Sequence, residues 1–214
     1  MNKKEHWENI YSTKTPAEVS WTQAYPETSI ELVAQTLVSK NAPIIDIGGG
    51  DSLVVDFLLK LGYTDITVLD ISAAAIERAK KRLGTDATKV EWLVTDILDF
   101  KPTKTYEVWH DRAVFHFLRE QEEVNTYVDM VNQYAENIIL ATFSPSGPIK
   151  CSGLEITQYD QNQIEDTFGS DFSVENYFTA DHVTPFNTVQ NFSFARMKKK
   201  EYKLIFELNT LTNR

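Results

Sequence analysis

Acidic side chains and glycines stand at the ends of successive predicted strands, where a ligand can reach them. Asp46 lies in the first strand and is followed closely by three consecutive glycines, Gly48, Gly49 and Gly50. Glycines let the backbone pass close to a ligand, because no Cβ stands in the way. Asp70 closes the second strand, and an acid in that place can accept hydrogen bonds from both hydroxyls of a ribose. These residue types indicate a nucleoside site.

The third strand ends in a carboxylate with an apolar neighbour, Asp96 and Ile97. The pair suits an adenine, since the acid can accept from the amino group while the isoleucine packs on the ring. Each of these features also has a plain structural interpretation: the glycines as a tight turn, Asp70 as a helix cap and Asp96 as a turn residue. Their joint placement at strand ends favours the nucleoside site over these separate explanations.

The charge pattern of the glycine turn distinguishes between nucleoside cofactors. A dinucleotide-binding G-x-G-x-x-G would need glycine at position 53, where the sequence has Leu53, and the lysine of a P-loop is also missing. Asp46 would be unfavourable beside a pyrophosphate but suits a cation, such as the amino group of a methionine moiety. The sequence therefore favours S-adenosylmethionine over NAD.

These residues are positioned by an alternation of strands and helices. Strands are predicted over 43–47, 66–70, 90–94, 106–110 and 137–143, and helices over 4–11, 27–39, 52–60, 73–83, 120–135 and 160–168. Thr28 or Ser29 is expected to cap the second helix. The alternation predicts a parallel sheet with helices on both faces. Two extended stretches, 171–179 and 188–197, are expected to pair antiparallel at the sheet edge, and 202–208 to be a further strand or a tail.

Composition restricts the partners of the chain. Its 214 residues carry a formal net charge of −10, which should repel nucleic acid and anionic membranes. Cys151 is the only cysteine, so a disulfide within the chain and a cysteine-rich zinc site are excluded, and we predict no metal. No stretch approaches the roughly 18 apolar residues of a membrane span, and no signal peptide is evident. We expect a cytoplasmic protein, a monomer or homodimer, that binds neither nucleic acid nor membrane.

The strand ends resemble the motifs of a known enzyme family. Residues 45–50, Ile-Asp-Ile-Gly-Gly-Gly, and 68–72, Val-Leu-Asp-Ile-Ser, resemble the first two motifs of class I S-adenosylmethionine-dependent methyltransferases. Residues 94–97 look like their third motif, and 106–111 lie where the fourth is found. Ser52 stands at the last glycine of the family's D-x-G-x-G-x-G, a mild departure. The resemblance covers about residues 40–143 and implies an α/β fold with a Rossmann-like, doubly wound seven-stranded sheet, mostly parallel with a C-terminal antiparallel hairpin.

The resemblance also implies a site and a domain organisation. N-terminal aromatic residues such as Trp7 and Trp21 often lie over the cofactor in this family, although aromatics in a cap commonly pack on the core instead. The predicted cofactor-binding residues are Trp21, Asp46, Gly48, Gly49, Gly50, Asp70, Ile71, Asp96, Ile97 and His110. We expect a single domain over 1–214, with a helical cap over 1–40, a cofactor-binding half over 41–143, and an acceptor side with the hairpin over 144–214.

Methyl transfer to some acceptors requires a general base, and the sequence offers three candidates. His182 is expected in a loop between the last two strands, where neighbouring Asp181 could favour the charged imidazole or fix its tautomer. His110 and Asp111 follow the fourth strand, and His110 could serve the cofactor's methionine part instead. His116 lies in an apolar stretch and is expected to pack in the core.

The sequence thus predicts an S-adenosylmethionine-dependent methyltransferase that releases S-adenosylhomocysteine and acts on a small-molecule acceptor. The Pro-Pro motif of amino-directed DNA methyltransferases is absent after the fourth strand, which argues against nucleic acid. Lys150 could hold an acceptor carboxylate or could simply be an exposed lysine. A protein methyltransferase, or a catalytically silent S-adenosylmethionine-binding module that regulates a partner, are the alternatives.

Overall fold

The computed structural model describes residues 2–201, in which strands and helices alternate along most of the chain. The helices are α1 Lys3–Thr13, α2 Glu27–Gln35, α3 Val54–Lys60, α4 Ala73–Leu83, α5 Gln121–Tyr134 and α6 Gln161–Phe168. The strands are β1 Ile44–Ile47, β2 Ile66–Asp70, β3 Val90–Val94, β4 Tyr106–Arg112, β5 Ala135–Phe143, β6 Lys150–Cys151, β7 Leu154–Glu155, β8 Phe172–Val183 and β9 Val189–Lys199. The predicted strand over 202–208 lies outside the described residues.

Within residues 2–201, seven strands form one sheet in the order β3-β2-β1-β4-β5-β9-β8, and β6 pairs with β7 in a separate ribbon. Strands β1 to β5 run parallel, whereas β9 pairs antiparallel with both β5 and β8. The order reverses between β1 and β4, and open sheets of this kind bind ligands beyond the strand ends at such a point. The predicted sheet, mostly parallel with an antiparallel hairpin at one edge, is confirmed.

Alternation of side chains across the sheet separates two groups of polar residues. One core cluster contains Trp109 and packs against α5 and α6, while the other contains Val108 and packs against α2 and α3. Asp46 and His110 are partners in the register of β1 and β4, and both lie on the side of α2 and α3. Asp111 follows His110 and therefore points to the opposite side, towards α5.

Local signals fix the helix that follows β2. Ser72 caps α4, since its hydroxyl accepts a hydrogen bond from the backbone of Ala75 at 3.2 Å. Gly84 ends the helix with φ of 59°, a left-handed conformation that glycine adopts without strain. The predicted helix over 73–83 is confirmed at both ends, so the chain leaves β2 and enters α4 directly beside Asp70.

The predicted cap of α2 is wrong. The helix begins after Pro26, so Ser29 lies inside its first turn and cannot cap it. Proline explains the difference, because its fixed φ and missing N–H suit the residue at a helix start. Ser29 is buried, and its hydroxyl lies 2.9 Å from Nε2 of His110. A residue that looked like a cap thus contributes to a polar cluster at the sheet.

The predicted loop placement of His182 is also wrong. Strand β8 continues to Val183, and His182 pairs with Gln190 of β9. The turn of the hairpin is short and is closed by hydrogen bonds between Thr184 and Thr188. Backbone pairing with β9 therefore extends strand β8 further than the side-chain pattern indicated.

None of the helices in the described part of the chain has the length and apolar character that crossing a membrane requires.

Candidate functional site

A cavity of about 740 Å³ opens at the carboxyl ends of β1, β2, β3 and β4. Nine of the ten predicted cofactor-binding residues line it: Trp21, Asp46, Gly48, Gly49, Asp70, Ile71, Asp96, Ile97 and His110. Gly50 belongs to the same turn but does not itself line the cavity. Volume and position are those of a ligand site in an open α/β sheet.

The glycine turn after β1 is required by its surroundings. Gly48 has φ of 65°, and a Cβ at this position would collide with the side chain of Val114. Gly50 has φ of 28°, and a Cβ there would collide with the carboxylate of Asp70. A Cβ on Gly49 would stand 2.5 Å from Oδ2 of Asp46. Each glycine therefore lets the chain pass close to a side chain at a strand end, and substitution would obstruct the cavity wall.

Asp46 is held by a chain of buried hydrogen bonds. Nδ1 of His110 donates to Oδ1 of Asp46 at 2.6 Å, and Nε2 of the same ring lies 2.9 Å from the Ser29 hydroxyl. Oδ2 of Asp46 is buried and has no hydrogen-bond partner among the described residues. A buried carboxylate oxygen without a donor is costly, and a cationic ligand group in the cavity would satisfy it.

Asp70 stands at the end of β2 with one oxygen engaged by the backbone. The N–H of Ser72 donates to Oδ1 at 2.8 Å. Burial raises the pKa of Asp70 to about 7, the charges of Asp46 and Glu8 add to this rise, and backbone hydrogen bonds oppose it. A carboxylate in this setting gains from additional hydrogen-bond donors, and hydroxyl groups of a ligand would supply them.

The third strand end presents a mixed polar and apolar surface. Asp96 caps a short 3-10 helix, with Oδ1 accepting from the backbone of Leu98 at 3.1 Å. Its carboxylate lines the cavity together with Ile97, which is buried, and Ile71. This arrangement matches the predicted partners of an adenine ring and its amino group.

The first residues of the chain form the wall opposite the sheet. The rings of Trp7, Tyr11 and Trp21 contact one another, and Trp7 also packs against Phe117 with ring centroids 5.3 Å apart. Glu8 anchors α1, since its carboxylate accepts from the Ser72 hydroxyl at 2.7 Å and from the first turn of α4. The sequence did not identify Glu8, because its partners lie 64 residues or more away in the chain.

The three candidate bases occupy different environments. His110 lines the cavity, whereas Asp111 does not. Asp111 accepts from the Tyr127 hydroxyl at 2.7 Å and from the backbone of Val114 and Phe115. Burial raises the pKa of Asp111 to about 6. Its position gives the catalytic assignment no support, because β4 directs its side chain away from the cavity.

His182 is buried in β8, and its Nε2 donates to the carbonyl oxygen of Ser20 at 2.7 Å. Burial lowers the pKa of His182, which favours the neutral imidazole. His182 does not line the cavity. Its hydrogen bond to Ser20, the residue before Trp21, links it to the site.

His116 is fully buried, and burial lowers its pKa to about 3. The expectation that His116 packs in the core is confirmed.

Arg112, the last residue of β4, also lines the cavity and was missed. Its Nη1 donates to the carbonyl oxygen of Trp21 at 3.1 Å, and its guanidinium lies over the ring of Phe192. The sequence could have identified Arg112, because side chains two positions apart in a strand face the same side, and Arg112 lies two positions after His110.

Comparison with known proteins finds relatives of the part of the chain that contains the site. Residues 45–135 match the family described as methyltransferase domain. A malonyl-[acyl-carrier protein] O-methyltransferase of Ilyobacter polytropus is 29% identical over 105 residues, 49% of this chain and 39% of that protein. A mouse eEF1A lysine and N-terminal methyltransferase is 26% identical over 122 residues, 56% of this chain and 17% of that protein. The chain thus matches well under half the length of these relatives.

The fold has solved relatives as well. N-methyltransferase NodS from Bradyrhizobium japonicum, in complex with S-adenosylhomocysteine, superposes with a TM-score of 0.70 at 14% identity, over 94% of this chain and 100% of that one. The match over 45–135 thus places a methyltransferase domain in this part of the chain, and the solved relative shares its fold. The predicted resemblance to class I S-adenosylmethionine-dependent methyltransferases is confirmed, and the cofactor named for the solved relative supports the predicted one.

Proposed function

We propose that the protein transfers the methyl group of S-adenosylmethionine to a small-molecule acceptor bound in the cavity at the strand ends. The observation that carries the proposal is the buried Oδ2 of Asp46, which has no partner within residues 2–201 and lies against the glycine turn. S-adenosylmethionine offers a cationic amino group, two ribose hydroxyls and an adenine. The free oxygen of Asp46, the carboxylate of Asp70 and the pair Asp96 and Ile97 fit those groups in that order across the sheet.

The cofactor supplies an electrophilic methyl group on a good leaving group, so catalysis rests mainly on proximity, orientation and exclusion of water. His110 keeps Asp46 oriented through the 2.6 Å hydrogen bond from Nδ1. The Ser29 hydroxyl forms a hydrogen bond with Nε2, the other nitrogen of the same imidazole. In this proposal the aromatic rings of Trp7, Tyr11 and Trp21, which line the cavity, displace water from it once the ligands are bound. In this proposal His110 positions Asp46, and the role of His182 as a base stays a prediction.

The shape of the cavity supports a small acceptor. Its volume of about 740 Å³ falls in the range of roughly 300–1,000 Å³ that is typical of small-molecule sites. The N-terminal segment, with Trp7, Tyr11 and Trp21, forms one side of the cavity. A protein acceptor is the second candidate, because the mouse relative is named as a lysine and N-terminal methyltransferase.

Calorimetry with S-adenosylhomocysteine and NAD tests the cofactor assignment. We expect S-adenosylhomocysteine to bind and NAD not to bind, and Asp46→Asn to weaken S-adenosylhomocysteine at least about tenfold, because an amide offers the ligand's cation no charge. Lys4→Ala, an exposed change on the outer side of α1, serves as the control and should bind as the wild type does. Equal affinity of Asp46→Asn and wild type would remove Asp46 from the site.

Turnover identifies the acceptor. The protein is incubated with S-adenosylmethionine labelled in its methyl group and with a metabolite extract, and in parallel with a protein lysate from which small molecules have been removed. Label in a small molecule supports the proposal, and label only in a protein supports the second candidate. Binding without any transfer of label to either would favour the catalytically silent module.

A further inference from the structure

The last residue of β4 presents an unused hydrogen-bonding edge. Nη1 of Arg112 is engaged by the carbonyl oxygen of Trp21, but Nε and Nη2 are buried and find no partner among residues 2–201. These two nitrogens lie on the same edge of the guanidinium, where their N–H groups point in parallel. That fork matches the two oxygens of a carboxylate.

The charge of Arg112 is also uncompensated. No carboxylate in the described part of the chain forms an ion pair with it, and Asp46, whose charge acts on it, is already bonded to His110. Burial lowers the pKa of Arg112 to about 10, so the side chain remains a cation at neutral pH. A buried cation with two unsatisfied donors is costly, and an anion from the cavity would remove that cost.

The neighbours of Arg112 place it at the acceptor end of the cavity. Its guanidinium lies 4.7 Å from the ring of Phe192 in β9. The thiol of Cys151 in β6 is also near, since Arg112 opposes the rise that burial causes in the pKa of Cys151. The predicted contacts to adenine and ribose, Asp96 and Asp70, lie just after β3 and at the end of β2, on the other side of β1. The order across the sheet is thus adenine, ribose, methionine part and then Arg112.

We propose that Arg112 binds the carboxylate of the methyl acceptor, and that the acceptor is a carboxylic acid with an apolar or aromatic body. The apolar body follows from the rings of Trp7, Tyr11 and Trp21, which line the same cavity. The two free nitrogens are shielded from water although Arg112 lines the cavity, so in this proposal the guanidinium turns towards the acid when it binds. The proposal rests on the proposed methyl transfer, and its test separates the two.

Benzoate and benzamide are the probes, because they share one ring and differ in the charge of the substituent. Ligand-observed NMR measures their affinities for the protein loaded with S-adenosylhomocysteine. We expect wild type to bind benzoate at least about tenfold more tightly than benzamide, which is the scale of a charge-assisted bidentate pair. Arg112→Met should abolish this preference, and Arg112→Lys should retain only part of it, because a point charge lacks the fork.

Arg119→Met is the matched control, since Arg119 is exposed and pairs with Glu155 at the surface, away from the cavity. It should keep the preference for benzoate. Thermal unfolding verifies that each variant is folded, and Arg112→Gln replaces Arg112→Met if the latter does not fold. Calorimetry with S-adenosylhomocysteine is run on every variant as a second readout.

Three outcomes would overturn the proposal: no binding of benzoate by wild type, no preference over benzamide, or an unchanged preference in Arg112→Met. A fourth outcome would overturn the proposal as well: Arg112→Met binds S-adenosylhomocysteine about tenfold more weakly but binds benzoate as wild type does. That result would assign Arg112 to the carboxylate of the cofactor. Failure of wild type to bind S-adenosylhomocysteine would instead reject the proposed function, while the comparison of benzoate with benzamide in the unloaded protein would still report on Arg112.

Discussion

Asp70 combines a buried position with a proposed role, ribose binding, that requires charge. In the unfolded chain this carboxyl loses its proton near pH 3.8, whereas burial raises its pKa in the folded protein to about 7. The folded state therefore holds the proton more tightly between these values. The free energy of unfolding should fall as the pH rises from about 4 to 7, by an amount on the order of 4 kcal/mol, and then level off.

Asp70→Asn should have opposite effects on stability and on cofactor affinity. Without an ionisable group the variant should lose this part of the pH dependence, so its unfolding free energy at pH 8 should exceed that of wild type in denaturant titrations. Its affinity for S-adenosylhomocysteine should fall at least about tenfold, since the ribose hydroxyls lose a charged acceptor. Asp86→Asn, at an exposed pair with Lys89, is the control and should change neither quantity.

Asp111 belongs to a buried network on the far side of β4. The Tyr127 hydroxyl donates to Asp111 and accepts from the indole of Trp109 at 3.0 Å. Tyr127→Phe should lower the unfolding free energy by about 1–3 kcal/mol, because two buried groups lose a partner. Affinity for S-adenosylhomocysteine should stay within about twofold of wild type, as calorimetry would show. A large loss of affinity in a stable variant would contradict a purely structural role for Asp111.

The separation of His110 from Asp111 explains why the candidate bases were hard to assign. The sequence places both after the same strand, and adjacency suggested one site. Alternation across the sheet sends them to opposite faces, and only the register with β1 shows that His110 meets Asp46. The strand-end acids and glycines were predictable because their places follow from local patterns. Arg112 and Glu8 depend on partners distant in the chain, which a local pattern does not reveal.

At the scale of elements, α1 and the segment after it are attached to the sheet by a few polar contacts. Glu8 binds the first turn of α4, His182 binds the carbonyl oxygen of Ser20, and Arg112 binds that of Trp21. The helix has one exposed side and buries Ile10 and Tyr11 on the other. Its position over the cavity thus depends on contacts that single substitutions can remove.

Glu8→Ala should loosen α1 over the cavity. The change removes the acceptor for the Ser72 hydroxyl and for the backbone of Ala74. We expect amide hydrogen exchange within α1 to accelerate by about tenfold, which corresponds to hydrogen bonds worth roughly 1–2 kcal/mol. Lys4→Ala on the same helix serves as the control and should exchange as wild type does. Unchanged protection in Glu8→Ala would show that apolar contacts alone hold the helix.

Most elements followed from the sequence, and the exceptions have physical reasons. Helix α4 and strands β2 and β3 were predicted to the residue, because Ser72 and Gly84 mark the helix ends and apolar runs mark the strands. Helix α2 stops earlier than its apolar pattern suggested, at Gln35. Strand β8 extends further than predicted because the ladder with β9 continues it, and such pairing is a tertiary effect.

At the scale of the whole molecule, charge governs the choice of partners. The chain carries 31 acidic and 21 basic residues. Binding to random duplex DNA at physiological salt should therefore be undetectable at about micromolar protein, as measured by fluorescence anisotropy. Binding that weakens steeply as salt increases would contradict this expectation and would point to a basic surface that the net charge conceals.

The order of strands in the sheet differs from their order in the chain at one edge. Strand β8 is made before β9, yet β9 lies between β8 and β5. During synthesis β8 has no neighbour to pair with until β9 has left the ribosome and joined β5. His182 then comes to face Ser20, 162 residues earlier in the chain. One contact of the wall, between His182 and Ser20, therefore forms only after β9 has joined the sheet, whereas the contacts of Glu8 and Arg112 join elements that are translated earlier. A nascent chain that stops within β8 has all of the parallel strands but lacks this last contact.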